Sequence, residues 1–345
     1  MKSPPPLSPY GVFTGQLFQY SSSPSLIAFE SSPPSLPTQP QPSTISQSSL
    51  PALQSNCSNK CILLGGLSDG PIPTPYTKLL EAKCHYLGWS LVQPILSSSY
   101  LGFGHGSLSR DTEELNSLME YLVCHHSASS FAFVGHSTGC QNSIHLLKYG
   151  RRDLIERVKA VALQAPVSDR ESLTLTPGDS SVHLSHAKSL HAEGTGDEMM
   201  PRSAFWAPIT ASRYLSLFDV NGDDDFFSSD LTDDELQDRL GHVGNLGRET
   251  GLHVMVAFSK RDEYVPESVD KVILLGRLVT AMNGSADVEE GNSDASPVAC
   301  GLMLEKANHN LSNDERDKEL FVESFGKLLA MSAVQSKASD VETKI

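Results

Sequence analysis

Five consecutive residues, Gly135, His136, Ser137, Thr138 and Gly139, carry the strongest chemical signal in the chain. They follow the apolar run Phe131 to Val134 (FAFV) and open a segment that reads as a helix over about 139 to 149. Small residues around a serine allow a strand-to-helix turn tight enough to hold that serine in a strained conformation, its oxygen exposed above a sheet edge. The helix that starts there directs backbone donors and its positive end at the same point, which favours an anion developing on a substrate. Such a turn suits nucleophilic attack by Ser137, with a purely structural turn as the alternative.

A serine hydroxyl is a poor nucleophile until a base takes its proton and a third group orients that base. Two loops after later strands offer the missing groups. Asp262 lies just past Leu252 to Phe258 (LHVMVAF), and His309 lies just past Cys300 to Leu304 (CGLML). Each has a plainer role open to it: His309 could cap the helix that follows, and Asp262 could pair with Arg261. Glu263 and Asp169 are the rival acids, and Asp169 also falls inside a Ser168/Glu171 helix-capping pattern.

Stabilising an oxyanion takes two amides. The amide of Thr138 is one, and the loop Gly65 to Gly70 supplies the other, with Leu67 the first choice and Gly66 the alternative. A simple strand-to-helix turn is the competing reading of that loop. Asp69 in the loop, His136 beside the serine, and Phe103 are the further candidates for substrate contact. Phe103 lies in a stretch, Gly102 to Gly106, whose spacing matches neither a dinucleotide nor a phosphate loop. Cys57 and Cys61 stand alone, and the histidines do not pair with carboxylates at helical intervals, so no metal and no cofactor is expected.

The elements that must position these residues alternate strand and helix from residue 60 onward, the pattern of crossover units and a mostly parallel sheet. Strands are expected at Cys61 to Leu64, Ser90 to Leu96, Phe131 to Val134, Lys159 to Gln164, Leu252 to Phe258 and Cys300 to Leu304. Two more are expected upstream, at Gly11 to Tyr20 and Ser25 to Glu30. Pro94 marks its strand as an edge or outer one, because proline lacks a ladder donor. Helices are expected at Pro75 to Leu87, after an Asp111/Glu114 capping box, and after a Ser312/Glu315 box. The last should present Leu320, Phe321, Phe325, Leu328 and Leu329 inward.

Three stretches interrupt this pattern. Residues 31 to 56 are rich in Ser and Pro and read as a disordered insertion within a domain spanning 10 to 332, between a disordered start (1 to 9) and a flexible tail (333 to 345). Residues 284 to 296 form a second polar stretch. The interval 168 to 250 does not alternate and reads as an inserted lid. It contains an acidic run, Asp223 to Asp225, ahead of a Thr232/Glu235 capping box. That run is either a solvated, well-capped helix or a mouth that attracts cationic or metal-bearing ligands.

Composition limits the partners. The chain has 345 residues with 39% hydrophobic and 19% charged, enough for a sizeable core. Its 26 basic against 41 acidic residues give a net charge of −15, which argues against nucleic acid and anionic membranes. No apolar run is long enough to span a bilayer. Six scattered cysteines read as free thiols in a reducing compartment, so a cytoplasmic location is expected. The Ser-rich, acid-poor start keeps organelle targeting such as a plastid in view. Oligomeric state is not legible.

Read together, these features look like an α/β-hydrolase: a mostly parallel central sheet flanked by helices, an inserted lid, and Ser, Asp, His in that chain order. Several stretches resemble a particular eukaryotic branch of hydrolases: LLGGLSDGPIPTPY, WSLVQPILSSSYLGFGHGSL, FVGHSTGCQN, QAPVSDRE and GDDDFFSSDLTDDEL. That branch includes fungal esterases that open hydroxamate siderophores such as fusarinine C. The resemblance covers roughly residues 10 to 330. It implies Ser137, Asp262 and His309 as a catalytic triad acting on a small-molecule ester, while the substrate does not carry over with it. The expected activity is a serine carboxylesterase working through an acyl-enzyme. A non-catalytic binding protein on the same fold and an acyltransferase are the alternatives.

Overall fold

The computed structural model describes residues 10–33, 57–175, 180–284 and 297–342, with side chains as far as residue 331. The expected insertion at 31 to 56 therefore lies outside the described residues from 34 on, as do the start 1 to 9 and the polar stretch from 285 to 296.

Side-chain alternation decides how the strands are buried. In a strand, neighbours point to opposite faces, so an apolar run with no polar partner must be covered on both sides. Phe131 and Phe133 belong to one core cluster and Ala132 and Val134 to the other. Ile62 and Leu64 face the first cluster, while Cys61 and Leu63 face the second. The sheet between these layers has eight strands: β1 (Gly15–Ser22), β2 (Ser25–Ser31), β3 (Asn59–Leu64), β4 (Trp89–Ile95), β5 (Ser130–His136), β6 (Val158–Gln164), β7 (His253–Ser259) and β8 (Ala299–Leu304). Their order is β1-β2-β4-β3-β5-β6-β7-β8. The pairs β1/β2 and β2/β4 are antiparallel, and every pair from β4 to β8 is parallel.

Helices α1 (Thr77–Tyr86) and α11 (Glu315–Glu342) cover one face through Leu80, Cys84, Phe321, Phe325 and Leu329. The other face is covered by α2 (Leu108–His125), α3 (Thr138–Tyr149) and α10 (Lys271–Asn283), with the short α4 (Arg152–Ile155) beside them. The interval between β6 and β7 has two parts. Helices α5 (Asp169–Leu173), α6 (Ser180–Ala192) and α7 (Ala211–Phe218) build a small apolar cluster of their own around Ala187, Ile209, Tyr214 and Phe218. Helices α8 (Asp233–Leu240) and α9 (His242–Thr250) instead send Leu236, Leu240, Val243 and Leu246 into the main core. The separate helical layer is thus α5 to α7.

Four local expectations need correction. Strand β4 is interior, between β2 and β3; its pairing with β3 ends at Val92, so Pro94 lies past the last rung and its missing donor removes no β3–β4 hydrogen bond. Helix α2 starts a turn earlier than Asp111, at a Ser107 cap whose hydroxyl accepts from the Arg110 amide at 3.2 Å. Asp111 and Glu114 are instead buried in that helix and brace the loop after β4, accepting from Ser98 Oγ and the Ser97 amide, each at 2.8 Å. The last helix is capped by Asp314, whose Oδ1 accepts from the Asp317 amide at 3.0 Å, rather than by Ser312. Leu320 is 43% exposed, because it is turned about 100° around the helix from buried Phe321.

Candidate active site

Ser137 sits where β5 passes into α3, with φ 53° and ψ −123°. For a residue with a Cβ this is a costly conformation that only its surroundings can impose. They do so through contact. A Cβ on Gly135 would lie 2.3 Å from the Gly139 carbonyl oxygen, and one on Gly139 would lie 2.5 Å from the Leu64 oxygen. Across the turn, a Cβ on Gly66 would lie 2.8 Å from that of Ser137. The Ser137 amide donates to the Gln164 carbonyl at 3.0 Å, fixing the turn against the end of β6.

His309 comes from the loop after β8. Its Nδ1 lies 2.8 Å and 3.0 Å from the two carboxylate oxygens of Asp262, in the loop after β7. Both side chains are buried. With Nδ1 donating to Asp262, Nε2 is the nitrogen left to accept a proton. Asp262 is itself held, since its Oδ1 accepts from the Tyr264 amide at 3.0 Å.

The rival acids have other partners. Glu263 Oε2 accepts from the backbone amide of His309 at 2.9 Å, so it places the loop and leaves the ring to Asp262. Asp169 accepts from Gln141 Nε2 at 3.0 Å. Burial, reinforced by nearby Asp224, pushes the Asp169 carboxyl up to about 7. The Ser168 hydroxyl does cap α5, as its sequence pattern implies, by accepting from the Glu171 amide at 3.1 Å.

The loop after β3 closes the other side. The Gly66 amide donates to Asp69 Oδ2 at 2.8 Å and is occupied. The amides of Leu67 and Thr138 have no acceptor among the described residues. Burial raises the Asp69 carboxyl, partly offset by that Gly66 hydrogen bond. His136 is buried; burial first, and then neighbouring His309, push it down to about 3, so it stays neutral and is no rival base.

Ser137, His309, His136, Asp69 and Leu67 share one cavity of about 460 Å³. Its far wall is aromatic: Phe205 and Phe218 from the helical layer, Trp206 beside them, and Tyr264 next to the acid loop. Phe103 does not line this cavity. It lies one layer behind, tilted or edge-on against Phe205 and Trp206, and bounds a separate space of about 50 Å³ behind the Gly65–Gly70 loop.

The spacing of motifs gave no hint of Gln164. It is fully buried at the end of β6, its Oε1 accepts a hydrogen bond from His136 Nδ1 at 2.6 Å, and its Nε2 donates to the His309 carbonyl at 2.8 Å. With its own carbonyl on Ser137, it joins the serine turn to the histidine loop. A polar residue closing the apolar run Ala160 to Leu163 is the available signal. Among the described residues no group of three histidines, cysteines or carboxylates could hold a metal ion, and no helix is long and apolar enough to cross a membrane.

Known proteins resemble the chain over most of its length. A family model described as "Protein of unknown function (DUF1749)" matches residues 44–329. The chain belongs to that family. Two fungal relatives match along most of their length. The UPF0613 protein PB24D3.06c of Schizosaccharomyces pombe is 34% identical, over 75% of this chain and 83% of its own. Fusarinine C esterase sidJ of Aspergillus fumigatus is 32% identical, over 74% of this chain and 83% of its own. Among solved structures, siderophore hydrolase EstB from Aspergillus fumigatus superposes with a TM-score of 0.66 at 27% identity, covering 93% of this chain and 98% of that one. An "Alpha/Beta hydrolase fold protein of unknown function" superposes at 0.61 with 16% identity. The fold is that of the α/β-hydrolases, with a mostly parallel eight-stranded sheet between helical layers.

Proposed function

We propose that the protein is a serine esterase that hydrolyses a small-molecule carboxylic ester through an acyl-enzyme. The observation that carries this reading is the pairing of a forced serine turn with a carboxylate-held histidine in one cavity. His309 Nε2 takes the proton from Ser137 Oγ as that oxygen attacks the ester carbon. The carbonyl electron pair moves to oxygen, where the Thr138 and Leu67 amides hold the negative charge. Asp262 keeps the imidazole in the tautomer that accepts at Nε2. As the carbonyl re-forms, the bond to the alcohol oxygen breaks and His309 returns the proton to the leaving alcohol. Water repeats the sequence on the acyl-serine, releasing a carboxylic acid and restoring Ser137.

The layer of α5 to α7 acts as the lid, because Phe218 of α7 and Phe205 and Trp206 of the α6–α7 connection line the same cavity as Ser137. The printed names of the relatives, a fusarinine C esterase and a siderophore hydrolase, support hydroxamate siderophore-like esters as the first substrates to try. Free cysteines, Cys61, Cys84 and Cys140 buried among them, support a reducing compartment such as the cytoplasm. The test is hydrolysis of p-nitrophenyl acetate and of a hydroxamate ester by the wild type and by Ser137→Ala, with circular dichroism confirming the fold. Turnover lost only in the variant supports the reading; equal turnover in both, or none in a folded wild type, rejects it.

A further inference from the structure

The cavity above Ser137 is charged unevenly. Asp69, Asp169 and Glu263 line it, and among the described residues no lysine or arginine does. Each of these carboxylates commits one oxygen to the protein: Asp69 to the Gly66 amide, Asp169 to Gln141, Glu263 to the His309 amide. All three donors are uncharged, and the second oxygen of each carboxylate has no hydrogen-bond partner among the described residues.

Nearby cations are engaged elsewhere. Arg213 grips Asp224 with both guanidinium ends, at 2.6 and 3.0 Å. Arg170 bonds Asp225 at 3.1 Å and also holds Asp230. Lys271 Nζ donates to the carbonyls of Lys260 and Asp262 at 3.1 and 2.9 Å. The Asp262 carboxylate belongs to His309. Above about pH 7, where Asp169 has lost its proton, these carboxylates turn negative charge toward the space where the reactive pair places a substrate.

The aromatic wall attracts the same sign of charge. Trp206 is 60% exposed and Tyr264 51% exposed, so both offer ring surface at the mouth of the cavity, and ring faces draw cations through their quadrupole. Carboxylates and rings thus favour one kind of ligand from two independent directions. Burial already raises both Asp69 and Asp169 in the free protein, a cost that a bound cation relieves.

We infer, resting on the esterase reading above, that this cavity selects esters bearing an ammonium group and turns away esters bearing a carboxylate. Asp169 is the specificity residue to alter, since its hydrogen bond comes from a glutamine and survives an amide. Asp69 and Glu263 hold the oxyanion loop and the histidine loop, so changing them would disturb the chemistry itself.

The test compares kcat/KM for acetylcholine, its uncharged isostere 3,3-dimethylbutyl acetate, and 4-acetoxybutanoate. The ammonium ester should exceed the neutral one about tenfold, with the carboxylate ester slowest. The preference should narrow in high salt and fall at least about threefold in Asp169→Asn. A second readout needs neither turnover nor a variant: tetramethylammonium should slow labelling of Ser137 by a neutral fluorophosphonate probe, and tert-butanol at equal concentration should not. Equal rates for the ammonium and neutral esters, or equal protection by the two blockers, would overturn the inference and leave the esterase standing. Failure of the probe to label Ser137 in folded protein would reject the esterase, and the inference with it.

Discussion

Two sets of carboxylates in this molecule share a charge and differ in what answers it. The acidic run from Asp219 to Asp233 is dense in sequence, yet it meets bases almost residue by residue: Asp219 with Lys188, Asp224 with Arg213, Asp225 and Asp230 with Arg170, Asp233 with Arg277. The Thr232/Glu235 box does cap a helix whose first residue, Asp233, is solvated, whereas Asp224 and Asp225 ahead of it are buried and line no mouth. The cavity carboxylates Asp69 and Glu263 lie on two loops and Asp169 at the start of α5, and each accepts its hydrogen bond from an amide. The dense set is tied down by bases on α5, α6, α7 and α10; the sparse set faces the cavity with one oxygen of each carboxyl unbonded among the described residues. Local density of acid is therefore a poor guide to where a protein's field ends up.

The largest effect that would sharpen this contrast is at the carboxylate that does have an ionisable partner inside the site. Asp262→Asn should lower kcat by about 10⁴ while the protein stays folded, because the imidazole loses its orienting anion and its tautomer. Steady-state kinetics beside circular dichroism reads it, and a loss of under tenfold would point to another acid. Breaking the paired set should instead cost stability. Arg213→Met leaves Asp224 buried without its cation, and urea unfolding should report a loss of about 3–5 kcal/mol. No loss would mean that the run is not held by its bases.

Gln164→Leu probes the join between the two sides of the site. It keeps the size and removes the side-chain bonds to His136 and to the His309 carbonyl. Leaving those groups unsatisfied should cost about 1–3 kcal/mol of stability. If the residue positions the histidine, kcat should fall about tenfold or more with KM nearly unchanged; an unchanged kcat would reduce it to a packing role.

The smallest effect is a matter of pH. Asp169 keeps its proton in the folded state up to about 7, whereas its ordinary value is 3.8. Between those values the unfolded chain holds fewer protons than the native one, so this group makes stability fall as pH rises through the window. Asp169→Asn should flatten that decline and be relatively more stable at pH 8 than at pH 5. Denaturation at both values checks the sign, and the opposite sign would mean that a cation answers Asp169 after all.

The legible parts of the molecule were those written in short spacing. FAFV followed by Gly135 to Gly139 specifies a strand, a turn and a helix within a few residues, and the order of later strands brings Asp262 and His309 to loops on the same side of the sheet. Contacts between distant segments were not legible. Gln164 looks like the end of a strand until the His309 loop is seen to cross it. Phe205 and Trp206 lie in an irregular stretch with no period to read, although they wall the cavity, and Phe103, with more glycine around it, does not. At α2 an acid three residues from another imitates a capping box: Asp111 and Glu114 serve the loop after β4, while Ser107 does the capping.

The most direct test of the central claim is labelling of the purified protein with a fluorophosphonate probe, read by intact mass and peptide mapping, beside Ser137→Ala and His309→Ala. One adduct, on Ser137, absent from the first variant and strongly slowed in the second, is the predicted result. A folded wild type that takes no probe, or labelling that survives both substitutions, would contradict a serine nucleophile activated by His309.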